Sequence, residues 1–79
     1  MELGKLVGKR IQELLFYNDL SVYRLSKMTK LSEQTISNLI KGFTKDVRLS
    51  TIYIICKALN VDILEFLSPN YFRNDKVLI

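Results

Sequence analysis

Residues 20–42 read LSVYRLSKMTKLSEQTISNLIKG, and this stretch decides the fold. Ser21 and Ser32 each stand where a helix needs an N-cap, because a serine hydroxyl accepts from a backbone N–H two or three residues on. The first cap opens a helix over 22–28, with Val22, Leu25 and Met28 on one side. The second opens a helix over 33–41, with Ile36, Leu39 and Ile40 turned inward. Thr29-Lys30-Leu31 is a short break between them. Gly42 is placed to end the second helix as a left-handed C′ residue. Ser26 is small enough to let the two helices approach at the turn, and Leu25, Leu31, Ile36 and Leu39 close a small core between them. That closure turns Glu33, Gln34, Ser37, Asn38 and Lys41 to the outside of the second helix.

Outward from this pair, apolar spacing predicts three further helices. Val7, Ile11, Leu14 and Leu15 recur at helical intervals and make one face of a helix over 3–17. Gly4 and Gly8 weaken its first turns, and Asn18-Asp19 ends it with turn chemistry. Residues 43–48 form a polar connection. A helix over 49–59 follows, with Leu49, Ile52, Ile55, Cys56 and Leu59 as its core face and Asn60 as a left-handed end. Asp62 and Glu65, three apart, resemble a capping box opening a short fifth helix. Ser68-Pro69-Asn70 stops it. Residues 71–79 carry no pattern that places them.

Length and composition bound the rest. A chain of 79 residues is one domain, and at this size only about 60% of the unfolded surface is buried. Its 12 Lys and Arg outnumber 8 Asp and Glu, a mild sign of a polyanionic partner. With one cysteine, Cys56, no intrachain disulfide forms, and with no histidine there is no basis for a zinc site or a nucleophile–base pair. No apolar run approaches the roughly 20 residues that span a bilayer, and the N-terminus has no signal-peptide block. These features lead to an expectation of a cytoplasmic, non-enzymatic protein with no cofactor, no metal, no small-molecule substrate and no membrane partner. Cys56 reads as a core residue of the fourth helix.

Two capped helices joined by a tight turn are the helix-turn-helix layout. A second helix with short polar side chains outward can enter the major groove and offer hydrogen bonds to base edges. Residues 8–67 resemble the Cro/cI-repressor-type helix-turn-helix family, also called the xenobiotic-response-element class. The resemblance rests on Leu20-Ser21, Leu25-Ser26, Lys30-Leu31-Ser32, Thr35-Ile36-Ser37, Gly42 and Ala58-Leu59-Asn60-Val61. It implies an all-α, five-helix, lambda-repressor-like DNA-binding domain over 1–67, with its motif at 20–42. Residues 68–79 are then a C-terminal tail and a candidate dimerisation segment.

The resemblance also assigns roles. Glu33, Gln34, Ser37 and Asn38 take base-contacting positions. Gln34 and Asn38 suit adenine N6 and N7, and Glu33 suits cytosine N4. Ser32 takes a phosphate-contacting position. Basic residues gather in and just after the motif: Arg24, Lys27, Lys30, Lys41, Lys45 and Arg48, against Glu33 and Asp46. Lys41 and Lys45, which flank the end of the second motif helix, and Arg24 are the expected phosphate contacts beside Ser32.

Three departures from the family pattern are informative. The usual turn glycine is Lys30. The usual phosphate-contacting glutamine of the first motif helix is Val22, which leaves Tyr23 or Arg24 to replace that anchor. A common buried Arg–Glu pair is Leu15 and Ile40, so both charges are exchanged for apolar groups together, and no lone charge is buried.

The function expected is a sequence-specific DNA-binding transcription regulator, a repressor of bacterial or phage type, that reads the major groove with its third helix. The alternatives are an antitoxin-type autoregulator, or a protein-interaction module that keeps the fold without specific DNA binding. The partner is double-stranded DNA. Tyr53, Ile54, Phe66, Tyr71, Phe72 and Val77-Leu78-Ile79 form an expected homodimer surface, since family repressors often pair through this end; the alternative is that they complete the small core or that the tail is loose.

Overall fold

The computed structural model describes residues 2–73 and 76–78. Ile79, one of the expected dimer residues, lies outside them. Five α-helices follow in order: α1 (Leu3–Tyr17), α2 (Val22–Thr29), α3 (Glu33–Ile40), α4 (Leu49–Leu59) and α5 (Ile63–Phe66), then a 3₁₀ turn (Asn70–Arg73). No strand occurs among the described residues; Glu2 and Leu78 form an isolated parallel bridge.

The helix starts follow the caps. Ser21 Oγ accepts from Arg24 N at 3.1 Å, Ser32 Oγ from Thr35 N at 3.0 Å, and Asp62 Oδ1 from Glu65 N at 2.7 Å. Three helix ends need left-handed backbone at residues other than glycine: Asp19, after α1, has φ 54°, Lys30 φ 64° and Asn60 φ 57°. Gly42 has φ 75° and follows α3, whose C-cap is Lys41; the helix stops one residue earlier than its apolar spacing suggests.

Ile11, Leu25, Ile36, Ile55, Cys56 and Phe66 are fully buried at the centre of one core fed by every helix. Leu15 is buried in it and Ile40 packs against it, the two places where the family often holds an ion pair.

Two core assignments change. Met28 is exposed and Thr29 is buried in its place. At about 100° per residue, two three-residue steps from Val22 carry Met28 roughly 120° off the apolar face, while Thr29, four residues after Leu25, stays on it. Thr29 is also satisfied there: its Oγ1 donates to Leu25 O at 2.8 Å and accepts from Leu31 N at 3.2 Å, tying the helix end to the turn. Leu49 is 69% exposed, because it opens α4 and the buried face begins one turn later at Ile52.

Phe66 leaves the expected dimer surface. It is 0% exposed, the largest fully buried side chain, with Phe72 packed on it at 6.4 Å between ring centroids. The segment after α5 returns to α1. Tyr71 Oη donates to Glu13 Oε1 at 2.6 Å, and Leu3 N donates to Leu78 O at 2.7 Å. Burial first, then Glu13, holds the Tyr71 phenol above its usual value. Arg10 ends α5 by donating from Nε to Phe66 O at 2.7 Å and from Nη2 to Glu65 O at 2.9 Å, a cation at the carbonyl end of the helix, where Glu65 O also accepts from Ser68 N and Ser68 Oγ.

The left-handed Lys30 gives a direct test. Lys30→Gly is expected to raise stability by about 0.5–1 kcal/mol, since glycine accepts this backbone without Cβ strain. Lys30→Ala, which removes the charge but keeps Cβ, is the comparison in chemical denaturation. A glycine variant no more stable than the alanine variant would show that the turn carries no strain.

Candidate nucleic-acid interface

The candidate interface is assembled on α3 and held from behind by α1. Helix α3 turns Ile36 and Leu39 into the core and leaves Glu33 and Gln34 exposed, with Ser37 and Asn38 half-buried beside them. All four side chains stay on one helix, so the expected base-contacting residues come together. The returning C-terminal segment lies on α1 and leaves Glu33 and Gln34 uncovered.

Each of these side chains has a state in the free protein. Gln34 Nε2 donates to Asn38 Oδ1 at 2.9 Å, which couples two amides one turn apart. Glu33 sits in the first turn of α3, where a carboxylate also stabilises the positive end of the helix dipole. Ser32 is already engaged: its hydroxyl accepts from Thr35 N and donates to Thr35 Oγ1 at 2.8 Å. A phosphate contact through that hydroxyl exchanges the second of these bonds, whereas the cap itself remains.

The cations divide into two places. Lys41 and Lys45 are exposed at and beyond the C-terminal end of α3, and the Lys41 ammonium lies 5.9 Å from the Phe43 ring centroid. Arg24 is exposed near the start of α2, where it lines a shallow groove with Phe16, Asp19 and Ser21. Among the described residues no carboxylate forms an ion pair with Arg24, Lys41 or Lys45. Their charge is therefore available to an external anion. No group of three His, Cys, Asp or Glu side chains suited to a metal ion occurs among the described residues, and no described helix is long and apolar enough to cross a membrane. Cys56 is buried, and burial, then Asp62, pushes its thiol pKa up, with Arg10 opposing. It is held in the neutral form.

Three positions matter more than their sequence reading suggests. Gly8 lies against the carbonyls of Leu39 and Ile40, and Gly4 against the carbonyls of Thr44 and Lys45. Any Cβ at either place would overlap backbone. The glycines that weaken the first turns of α1 are thus what let it approach the end of α3. Their four-residue spacing, which sets both on one helix face, is the signal in the sequence. Phe43 is the third: 73% exposed two residues after the α3 C-cap, with its backbone N–H donating to Asn38 O at 2.9 Å. Its place in a polar connection hides it from any periodicity argument.

Two serine-capped helices meeting at a left-handed residue, with a polar outer face and unpaired cations at its edge, define a helix-turn-helix domain. The family model of the Cro/C1-type HTH DNA-binding domain matches residues 10–70, and the chain belongs to that family. It is a DNA-binding transcription regulator. No curated protein and no solved structure matches the chain.

Proposed function

We propose that this regulator is a sequence-specific repressor that sets α3 in the major groove. Glu33, Gln34, Ser37 and Asn38 read base edges, and Ser32, Arg24, Lys41 and Lys45 hold the backbone. The observation that carries this reading is the uncovered polar face of α3, bordered by cations that no carboxylate neutralises. Glutamine and asparagine each match the donor–acceptor pair of adenine N6 and N7, and the glutamate matches the donor of cytosine N4. Phosphate contacts fix register and supply most of the affinity but carry no sequence information. A repressor acts by occupying its operator, which DNA binding through α3 supplies.

The protein acts on DNA as a homodimer in this reading. Tyr53, 56% exposed, and Ile54, 40% exposed, support it as an uncovered apolar pair on α4. Two-fold pairing sets the α3 helices about 34 Å apart, one helical turn of DNA.

Random-sequence selection with the purified protein tests both parts, because it yields the site and a palindrome reports the dimer. On the selected duplex, Gln34→Ala is expected to reduce discrimination at one base pair by about 1–3 kcal/mol. An equal loss on every duplex would show that Gln34 reads no base.

A further inference from the structure

The cations assigned to the DNA backbone all come from the motif and the loop behind it. The fold brings another beside them from the opposite end of the chain. The tight approach of α1 at Gly4 lays its first turn against the backbone of Thr44 and Lys45. One residue on, Lys5 crosses Gly42. A Cβ placed on Gly42 would come within 2.7 Å of Lys5 Cγ and 3.2 Å of its Cα, so the Lys5 stem lies directly over the residue that ends α3. Lys5 is exposed, as are Lys41 and Lys45. A lysine packs its methylenes on a surface and keeps its ammonium in water. Gly42 is the surface here. Lys5, Lys41 and Lys45, all exposed, therefore stand together at the corner where α3 ends. The carboxylates closest in sequence, Glu2 and Asp46, form no ion pair with any of the three among the described residues.

We propose that Lys5 is a further DNA phosphate-binding residue, and that with Lys41 and Lys45 it forms a three-cation clamp on the sugar–phosphate backbone at the C-terminal end of α3. The inference rests on α3 facing the duplex, and it extends the binding surface beyond the helix-turn-helix onto α1. The physical argument is one of placement. Phosphates follow one another along the groove edge, so charges gathered at one helix end meet successive phosphates. Each one neutralised releases condensed counterion and adds to the salt dependence. Lys5 also holds its position at low entropic cost, because its stem is already packed.

The test is a salt titration of binding by the full chain, using a duplex recovered by random-sequence selection and a scrambled duplex of equal length. Lys5→Gln is expected to weaken both several-fold at low salt and to reduce the slope of log K against log salt by roughly one unit, as Lys41→Gln does. Lys5→Arg, which keeps the charge, is expected to retain the slope. Lys57→Gln, whose ammonium lies 5.7 Å from the Tyr53 ring centroid on α4, is expected to leave it unchanged. Thermal unfolding of each variant separates a folding defect from a lost contact. An unchanged slope for Lys5→Gln beside a reduced slope for Lys41→Gln overturns the proposal and leaves the placement of α3 standing. A Lys5→Gln loss confined to the selected duplex also overturns it, because a backbone contact carries no sequence information. If Lys41→Gln and Gln34→Ala change nothing either, the placement of α3 fails and the clamp falls with it.

Discussion

Phe66→Ala is expected to remove about 3–5 kcal/mol of stability, the range for deleting a buried aromatic side chain and leaving its cavity. A domain of this size has of order 5–15 kcal/mol in total, so much of the native margin goes with one ring. The ring is 0% exposed and touches the single core that also receives α1, α2, α3 and α4. Arg10 grips the carbonyl of the same residue, so the substitution also loosens the seat of α5. Denaturant unfolding at several protein concentrations is the measurement. A core role predicts the same loss at all of them. A loss that vanishes on dilution would return Phe66 to a subunit interface, where the sequence reading set it.

Gly8→Ala is the second large effect, and its sign runs against helix propensity. Alanine in a helix interior is ordinarily favoured over glycine by up to about 1 kcal/mol. At residue 8 the added methyl would meet the Leu39 carbonyl at overlap and the Ile40 carbonyl oxygen at 2.8 Å. Both obstacles are backbone, so no rotamer change relieves them. Overpacking of this kind costs about 1–3 kcal/mol, and the net expectation is a loss. Relief requires α1 to move off α3 at its last turn, so DNA affinity is expected to fall with stability. Unfolding curves and gel shifts on the same preparation check both. A variant more stable than the parent would show that α1 and α3 are not in close approach.

Much of the architecture was legible in the chain because it is locally encoded. Ser21, Ser32 and Asp62 are short polar side chains that satisfy helix N–H groups within three residues, so the starts of α2, α3 and α5 need no tertiary information. The outer face of α3 follows from where Ile36 and Leu39 must go. Of the readings that failed, Met28 is decided by helix angle, and Leu49 and Phe66 by what lies opposite. Leu49 sits in register with the α4 core but has no neighbour over it, and Met28 yielded its place to a threonine whose hydroxyl found two partners. Lys41 and Lys45 were legible as cations flanking the end of α3; that Lys5 joins them was not.

The sequence by itself determined the five helices, the turn between α2 and α3, the family, and the polar residues that α3 presents, because caps, spacing and turn residues act over a few positions. Only the tertiary structure decided that Phe66 belongs to the core, that the turn at Asn70–Arg73 and Leu78 return to α1, and that Lys5 stands over Gly42. Those facts concern pairs far apart in the chain. The last of them follows from the close approach of α1 to the end of α3, admitted by the absence of a side chain at Gly4 and Gly8; the spacing of the two glycines marks a helix face, but what that face meets is decided only by the tertiary structure.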